Sequence, residues 1–419
     1  MSLSLAENML IGIVGKPSCG KSTFFNAQTL ANVEIANYPF TTIKPNHGTG
    51  YVRVDCVDRE FNTKCNPRFG YCIESNRFVP VELLDVAGLV PGAHEGKGMG
   101  NQFLDDLNQA DVLIHIIDVA GSTNEKGESV PALSYNPAND IKFLEHELDM
   151  WYLRLIEKGW ERFARTVNQE RPELKKAVAK QLSSFRVTET LMEKVIQKLD
   201  LDADIMKWDK NILLKIATEL RKATKPMVIA CNKIDVKGAY ENFERLEREF
   251  SQYLLVPCSA EAELALREAA KHELIKYIPG DNNFEIISEE KLSNASELVR
   301  TRSQLTEKQK NALNFIKIDV LGKFGSTGVQ KVLDIAVFDL LKYVAIFPGG
   351  VNKLEDQHGN RLPDCFLMPP ETTALDFAFK LHTDIGKNFV KAIDVKSRRP
   401  VGKDFILKNR DVIEIATSK

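Results

Sequence analysis

Gly15-Lys16-Pro17-Ser18-Cys19-Gly20-Lys21-Ser22 combines glycines, a lysine and a terminal hydroxyl in one short run. Phosphate oxygens need several converging backbone N–H groups and a cation. Gly15 and Gly20 let the backbone bend around them, Lys21 reaches the terminal phosphates, and Ser22 can ligate Mg²⁺. Lys16, Pro17, Ser18, Cys19 and the following Thr23 complete the predicted phosphate-binding set. Two more motifs follow in order, Asp85-Val86-Ala87-Gly88 and Asn232-Lys233-Ile234-Asp235. Asp85 is placed to hold Mg²⁺ through water and the Gly88 N–H to contact a γ-phosphate, so that loss of this phosphate releases the loop behind it. The Asp235 carboxylate can accept hydrogen bonds from both N1–H and the exocyclic amine of guanine. Adenine offers no such pair, so Asn232 and Asp235 predict GTP over ATP. Ser259 and Ala260 can present a backbone N–H to the guanine carbonyl.

Each motif ends an apolar run, as a strand–loop–helix arrangement requires. Met9–Val14 leads into the glycine loop and Ser22–Asn26 opens a helix; Val79–Leu84 leads into Asp85 and Met227–Cys231 into Asn232. Val112–Ile117 and Leu254–Cys258 supply further buried strands. Apolar strands alternating with helical segments predict an α/β fold, a mostly parallel sheet covered on both faces. The stretch from Gly121 to Lys225 is too long for a strand connection. Ile141, Leu144, Leu148, Trp151 and Leu155 repeat at helical spacing, as do Met192, Val195, Leu199 and Leu213, Ile216, Leu220, so a helical insert is expected, most simply an antiparallel hairpin. A second helical region spans 263–344, broken by Pro279–Asn283, with Val329, Leu333, Val337, Leu340 and Val344 as an apolar seam. From Ala345 short β-rich runs, Cys365–Met368 and Asp411–Ile415, surround one helix near Thr373–Ile385, for which Gly386 is the expected stop. The expected organisation is a nucleotide-binding domain over 1–136 and 226–262, the insert over 137–225, the second helical region over 263–344 and a small C-terminal domain over 345–419.

Composition narrows the class. The 419 residues exceed one ordinary domain; 43% hydrophobic and 27% charged content exclude a disordered chain, and a net charge of −2 excludes a strong global field. Nucleic-acid contact would therefore use a local patch, and Gly386–Arg410 holds eight Lys or Arg against two Asp. No basic leader precedes a long apolar stretch and no run reaches bilayer length, so no membrane contact and a cytoplasmic location are expected. The seven cysteines are scattered, as suits reduced thiols. Cys56, Cys65 and Cys72 have the donor chemistry for zinc, but eight and six residues intervene and no tight paired-cysteine motif results. Ordinary reduced cysteines in an inserted hairpin are the expectation.

Over nearly its whole length the chain resembles the Obg family of GTPases, in the branch related to YchF. The likeness rests on Asn37-Tyr-Pro-Phe-Thr-Thr-Ile-Lys-Pro-Asn46 as first switch, on Asp85–His94 with Gly100–Leu104 as second switch, and on the C-terminal domain. It implies that Thr42, with Thr41 as the fallback, ligates Mg²⁺ and senses the γ-phosphate. Gly92, Gly96, Gly98 and Gly100 then belong to a nucleotide-sensing loop, in which His94 is solvated. The C-terminal domain resembles a TGS domain, a β-grasp unit, through Ala374–Asp384 and Val401-Gly402. Arg410 stands where that family has glycine, with Asn409 expected to take over the turn. Many members of the YchF branch carry a glutamate in the base-reading motif and prefer ATP; Asp235 keeps the guanine pattern, so ATP hydrolysis is not carried over. An asparagine that holds potassium in some GTPases is Ser18 here.

Leu89 occupies the position where many GTPases carry the glutamine that orients the attacking water, and it has no donor or acceptor. Lys21 and Thr42 remain to support catalysis by position and charge. The expected protein binds GTP and GDP with Mg²⁺, hydrolyses GTP slowly on its own, and acts as a switch that the resemblance ties to the ribosome or ribosomal RNA. The alternative is an RNA- or protein-binding scaffold with GTP as a structural ligand. A metabolic P-loop enzyme would need an acceptor pocket for which the sequence supplies no residues.

Overall fold

The computed structural model describes residues 9–30, 46–86, 107–287 and 305–418. Seven strands form the main sheet: β1 (Leu10–Val14), β2 (His47–Asp55), β3 (Tyr71–Ile73), β4 (Asn76–Asp85), β5 (Val112–Asp118), β6 (Met227–Asn232) and β7 (Leu254–Pro257). The order is β2-β4-β1-β5-β6-β7, with β3 against β4. From β4 to β7 every pairing is parallel, whereas β2 and β3 run antiparallel to β4. Strands β1, β5 and β6, apolar but for His115 and the closing Asp118 and Asn232, are buried along their whole length, as a sheet covered on both faces demands. Because β1, β4 and β6 are parallel, the three motifs emerge at one edge of the sheet.

The insert is richer than a hairpin. Helices α2 (Ala138–Glu157) and α6 (Lys210–Thr224) pack together, Asp149 accepting from Arg221 Nε at 2.8 Å and Thr218 Oγ1 at 2.9 Å. Between them run α3 (Trp160–Glu170), α4 (Leu174–Gln181) and α5 (Glu189–Leu199). Aromatic pairs drive the difference: Trp160 stacks on Trp208 at 5.8 Å and Tyr152 on Phe185 at 4.8 Å, so the middle helices close a core that two helices alone would leave open. Leu155, expected in the apolar seam, lies on the exposed side, and Tyr152, Leu153 and Ile156 are buried instead.

After α7 (Ala239–Glu249), α8 (Ala260–Lys271) runs straight through residues 262 and 263. Pro279–Asn283, expected to interrupt helices, instead connects a hairpin of β8 (Ile275–Tyr277) and β9 (Phe284–Ile286). Helix α9 (Glu307–Phe315) continues in wide π turns through Leu321, and α10 (Val329–Asp334) does so through Leu340. Val329, Leu333 and Val337 join the core beneath the main sheet. A buried polar network fastens these parts together. Glu263 accepts from Arg267 Nε at 2.6 Å, Tyr277 Oη at 2.7 Å and Thr327 Oγ1 at 2.5 Å, and Gln330 bridges Arg267 to the Tyr51 carbonyl of β2.

The C-terminal sheet comprises β10 (Val344–Pro348), β11 (Phe366–Met368), β12 (Phe389–Asp394), β13 (Arg399–Val401) and β14 (Val412–Thr417), in the order β11-β10-β14-β12-β13. The single expected helix is two, α11 (Ala374–Leu381) and α12 (Thr383–Lys387), separated by extended His382. Gly386 is therefore no helix stop: it lies inside α12, where a Cβ would come within 2.4 Å of the Phe379 ring. Nor does Asn409 take the turn. Arg410 itself adopts φ +68°, while Asn409 Oδ1 accepts from Ala345 N at 2.9 Å. What holds the arginine is its guanidinium, which donates to the Asp55 carbonyl at 3.0 Å and pairs with Glu60 at 2.5 Å on the nucleotide-binding domain. Among the described residues no helix is long and apolar enough to cross a membrane.

Candidate functional site

The glycine loop leaves β1 and enters α1 (Lys21–Thr29) with two left-handed residues, Ser18 at φ +61° and Gly20 at φ +96°. At Gly20 a Cβ would sit 2.1 Å from Asn232 Nδ2, so only glycine lets the loop close on the β6 motif. Lys16, Pro17, Ser18, Gly20, Lys21, Ser22 and Thr23 line an open cleft of about 590 Å³, faced by Asn232, Lys233, Asp235 and Ser259.

Asn232 is the clasp of this arrangement. It is buried, its Nδ2 donates to the Cys19 carbonyl at 2.9 Å, and its Oδ1 accepts from Ala260 N at 2.9 Å. One side chain thus binds the glycine loop to the start of α8, where Ser259 Oγ caps the helix by accepting from Ala262 N at 3.4 Å. Both ends of its amide engage backbone, and the second N–H of Nδ2, which has no partner among the described residues, is left for the base that Asn232 is expected to help read. Asp235 is partly exposed on the cleft and makes no hydrogen bond among the described residues.

The two lysines that flank the site differ from one another. Lys21 Nζ pairs with Asp85 Oδ1, which joins the start of α1 to the end of β4. Ser22 beside Lys21 and Asp85 opposite it are hard oxygen donors, the donor type Mg²⁺ favours. Lys16, expected among the phosphate ligands, buries its side chain elsewhere. Its Nζ donates to the Thr123 carbonyl at 2.8 Å, pairs with Asp140 of α2 at 2.9 Å and lies 3.9 Å from the centre of the Tyr135 ring. Burial pushes the Asp140 carboxyl above its ordinary range, and the Lys16 charge opposes that rise. Lys233, at φ +65°, sends Nζ to Asp118 Oδ2 at 3.0 Å and Ser122 Oγ at 3.2 Å. Burial holds the Cys19 thiol near 12, so it is an inert neutral group under the loop.

Asp118 and Asp140 escaped sequence reasoning. Asp118 ends β5 and accepts from Ser122, Thr123 and Lys233, organising the wall next to the base-reading motif. Its one legible signal is a carboxylate closing a strand that is apolar but for His115. Thr41, Thr42, Gly88, Leu89, His94 and the glycines of the second switch lie outside the described residues.

Comparison with known proteins bears on the same segments. Residues 10–145 match a family described as 50S ribosome-binding GTPase, 230–350 the Obg-like GTPase YGR210-like, G4 motif-containing domain, and 357–417 the TGS domain. An uncharacterized GTP-binding protein of Methanocaldococcus jannaschii is 46% identical over 98% of this chain and 99% of its own length. The crystal structure of a GTP-binding protein from Pyrococcus horikoshii superposes with a TM-score of 0.73 at 37% identity, covering 98% of this chain and all of that one. The ribosome-binding ATPase YchF of Pasteurella multocida is 27% identical over 96% of this chain and 97% of its own.

Proposed function

We propose, from the premise that this chain belongs to the Obg-like GTPases of the YchF-related branch, that it is a nucleotide-dependent switch that binds GTP, hydrolyses it slowly alone and works in contact with the ribosome. The observation that carries the reading is the convergence of the glycine loop and Asp235 on one cleft, with Asp85 paired to Lys21 of that loop and Asn232 clasping the loop to α8.

In this reading the triphosphate lies along Gly15–Thr23. Lys21 exchanges the Asp85 carboxylate for phosphate oxygens, so the ion pair seen here is the one that nucleotide entry rearranges. Ser22, Thr42 and, through water, Asp85 would hold Mg²⁺, which when bound neutralises charge on the phosphates. Asp235 accepts from the guanine N1–H and amine, and the Ala260 end of the Asn232 clasp borders the base. A side chain without donor or acceptor at Leu89 leaves the attacking water unoriented, so turnover is slow until a partner reshapes the switches or supplies a group. GTP specificity agrees with the relatives named GTP-binding proteins, while the relative named a ribosome-binding ATPase lends its partner class and not its nucleotide.

The deciding experiment is GTP and ATP turnover by the full chain with Mg²⁺, alone and with saturating large ribosomal subunits. Slow basal GTP turnover with strong stimulation is the expected result. Fast hydrolysis by the isolated protein would overturn the assignment of an incomplete site. Absent stimulation together with equal ribosome affinity in GTP and GDP would favour a scaffold, because a ligand without differential affinity shifts no equilibrium.

A further inference from the structure

Cys56, Asp58, Cys65 and Cys72 come from four different places: the residue after β2, the short 3₁₀ turn Val57–Phe61, the loop beyond it, and β3. Folding brings their donor atoms within 4.8 Å of one another, and the Sγ atoms of Cys56 and Cys65 are 3.6 Å apart. Four ligands around a tetrahedral ion with zinc–sulfur bonds of about 2.3 Å stand about 3.8 Å from each other. The separation is that of ligands to a single ion, too close for a polynuclear iron–sulfur cluster. A second observation concerns Asp58, which is only 3% exposed. Its Oδ2 accepts from Cys65 N at 3.4 Å, but its Oδ1 is buried with no partner among the described residues. A buried carboxylate oxygen facing three thiols is costly unless a cation completes it.

We propose that Cys56, Asp58, Cys65 and Cys72 bind one structural Zn²⁺ that fixes the platform on which the C-terminal TGS domain docks. Three soft sulfurs and one carboxylate in a closed site select zinc over the hard cations. Arg77, paired with Cys72 across β3 and β4, supplies the adjacent positive charge that four anionic ligands need. Arg77 also donates to the Leu362 carbonyl at 3.1 Å and the Pro363 carbonyl at 2.8 Å, while Asn66 N and Arg68 N donate to the carbonyls of Arg361 and Pro363. The ion would thus hold the same short segment that the C-terminal domain grips. The site lies at the opposite end of β4 from Asp85, roughly 25 Å along the strand, so it is separate from the nucleotide cleft.

The test is metal analysis of the full chain purified without chelator, followed by replacement of bound metal with Co²⁺. About one zinc per chain, and a Co²⁺ form with thiolate charge-transfer and tetrahedral absorption bands, are expected. Cys65→Ser should lose the metal, and Asp58→Asn, which keeps all three thiols, should weaken zinc retention at least about 10-fold in a competition titration with a chromophoric chelator. Chelation of the wild-type protein should expose segment 56–72 to protease and leave GTP affinity unchanged. Protein that neither contains nor retains added Zn²⁺ while its thiols react freely, or that carries a Cys56–Cys65 disulfide, would overturn the proposal.

Discussion

Asn232 shows how much one buried amide can govern. Removing it leaves the Cys19 carbonyl and Ala260 N–H without partners in a dry position, at a cost of about 1–3 kcal/mol for each group. Asn232→Ala should therefore lower both thermal stability and GTP affinity, whereas Asp235→Asn, at a partly exposed site, should spare stability. The carboxamide of Asp235→Asn offers a donor where guanine also offers one. GTP binding should weaken by roughly 10- to 100-fold, and xanthosine triphosphate, with a carbonyl in place of the amine, should bind better than GTP. Nucleotide titrations of both variants check this; unchanged GTP affinity in Asp235→Asn would remove Asp235 from base reading. The motif residues were legible because phosphate and guanine dictate residue types at fixed spacing. The clasp that Asn232 makes between the glycine loop and α8 was not, since it depends on which side chain the fold buries.

Lys16 and Asp140 tie the glycine loop to the first helix of the insert, and that link is invisible in sequence because the partners lie far apart in the chain. Lys16→Met leaves the buried Asp140 carboxylate without its cation, held only by the Tyr135 hydroxyl among the described residues, and should destabilise the protein by about 3–5 kcal/mol, while Lys16→Met with Asp140→Leu should recover most of the loss. If the double variant also keeps its GTP affinity in denaturation and binding assays, the Lys16 side chain serves the insert and not the phosphates. Helix α10 carries a second, partly buried acid. Asp334 Oδ1 accepts from Arg53 N and Gln330 Nε2, each near 2.9 Å, and burial raises its carboxyl to about 7. Between about pH 4 and 7 the folded chain keeps this proton and the unfolded chain has lost it, so stability falls as pH rises through that window. Asp334→Asn keeps the accepting oxygen. It should flatten the slope and gain on the order of 1 kcal/mol at pH 8, with little change at pH 4; an unaltered slope in urea unfolding would assign it to other groups. Helical periodicity gave the ends of the insert, but aromatic stacking decided that five helices and not two fill it. The Pro279–Asn283 break was legible as a break, whereas the strands on either side were too short to leave a pattern.

At the scale of the whole molecule, the basic run from Gly386 to Arg410 divides in two. Lys396 and Arg410 both pair with Glu60 of the nucleotide-binding domain, so they serve domain docking and are poorly placed to meet RNA. Lys387, Lys391, Arg398, Arg399, Lys403 and Lys408 are exposed, in company with exposed Val390, Phe405 and Ile406. Exposed lysines and arginines of this kind suit contact with a phosphate backbone. The sequence alone offered eight equivalent charges, because the pairing that removes two of them joins residues some 340 positions apart. The two groups should separate by experiment. Arg398→Glu with Arg399→Glu should weaken ribosome binding and reduce the slope of log affinity against log salt by about one for each phosphate that the arginines neutralise, leaving the protein's stability near that of the parent. Glu60→Lys should instead loosen the C-terminal domain, seen as faster proteolysis between the domains. Its direct stability cost should stay within about 1 kcal/mol per pair, because these pairs are partly exposed. A salt titration in which the Arg398 and Arg399 variant matches the parent would exclude this face, and the search for the ribosome-binding surface would move to the helices of the insert.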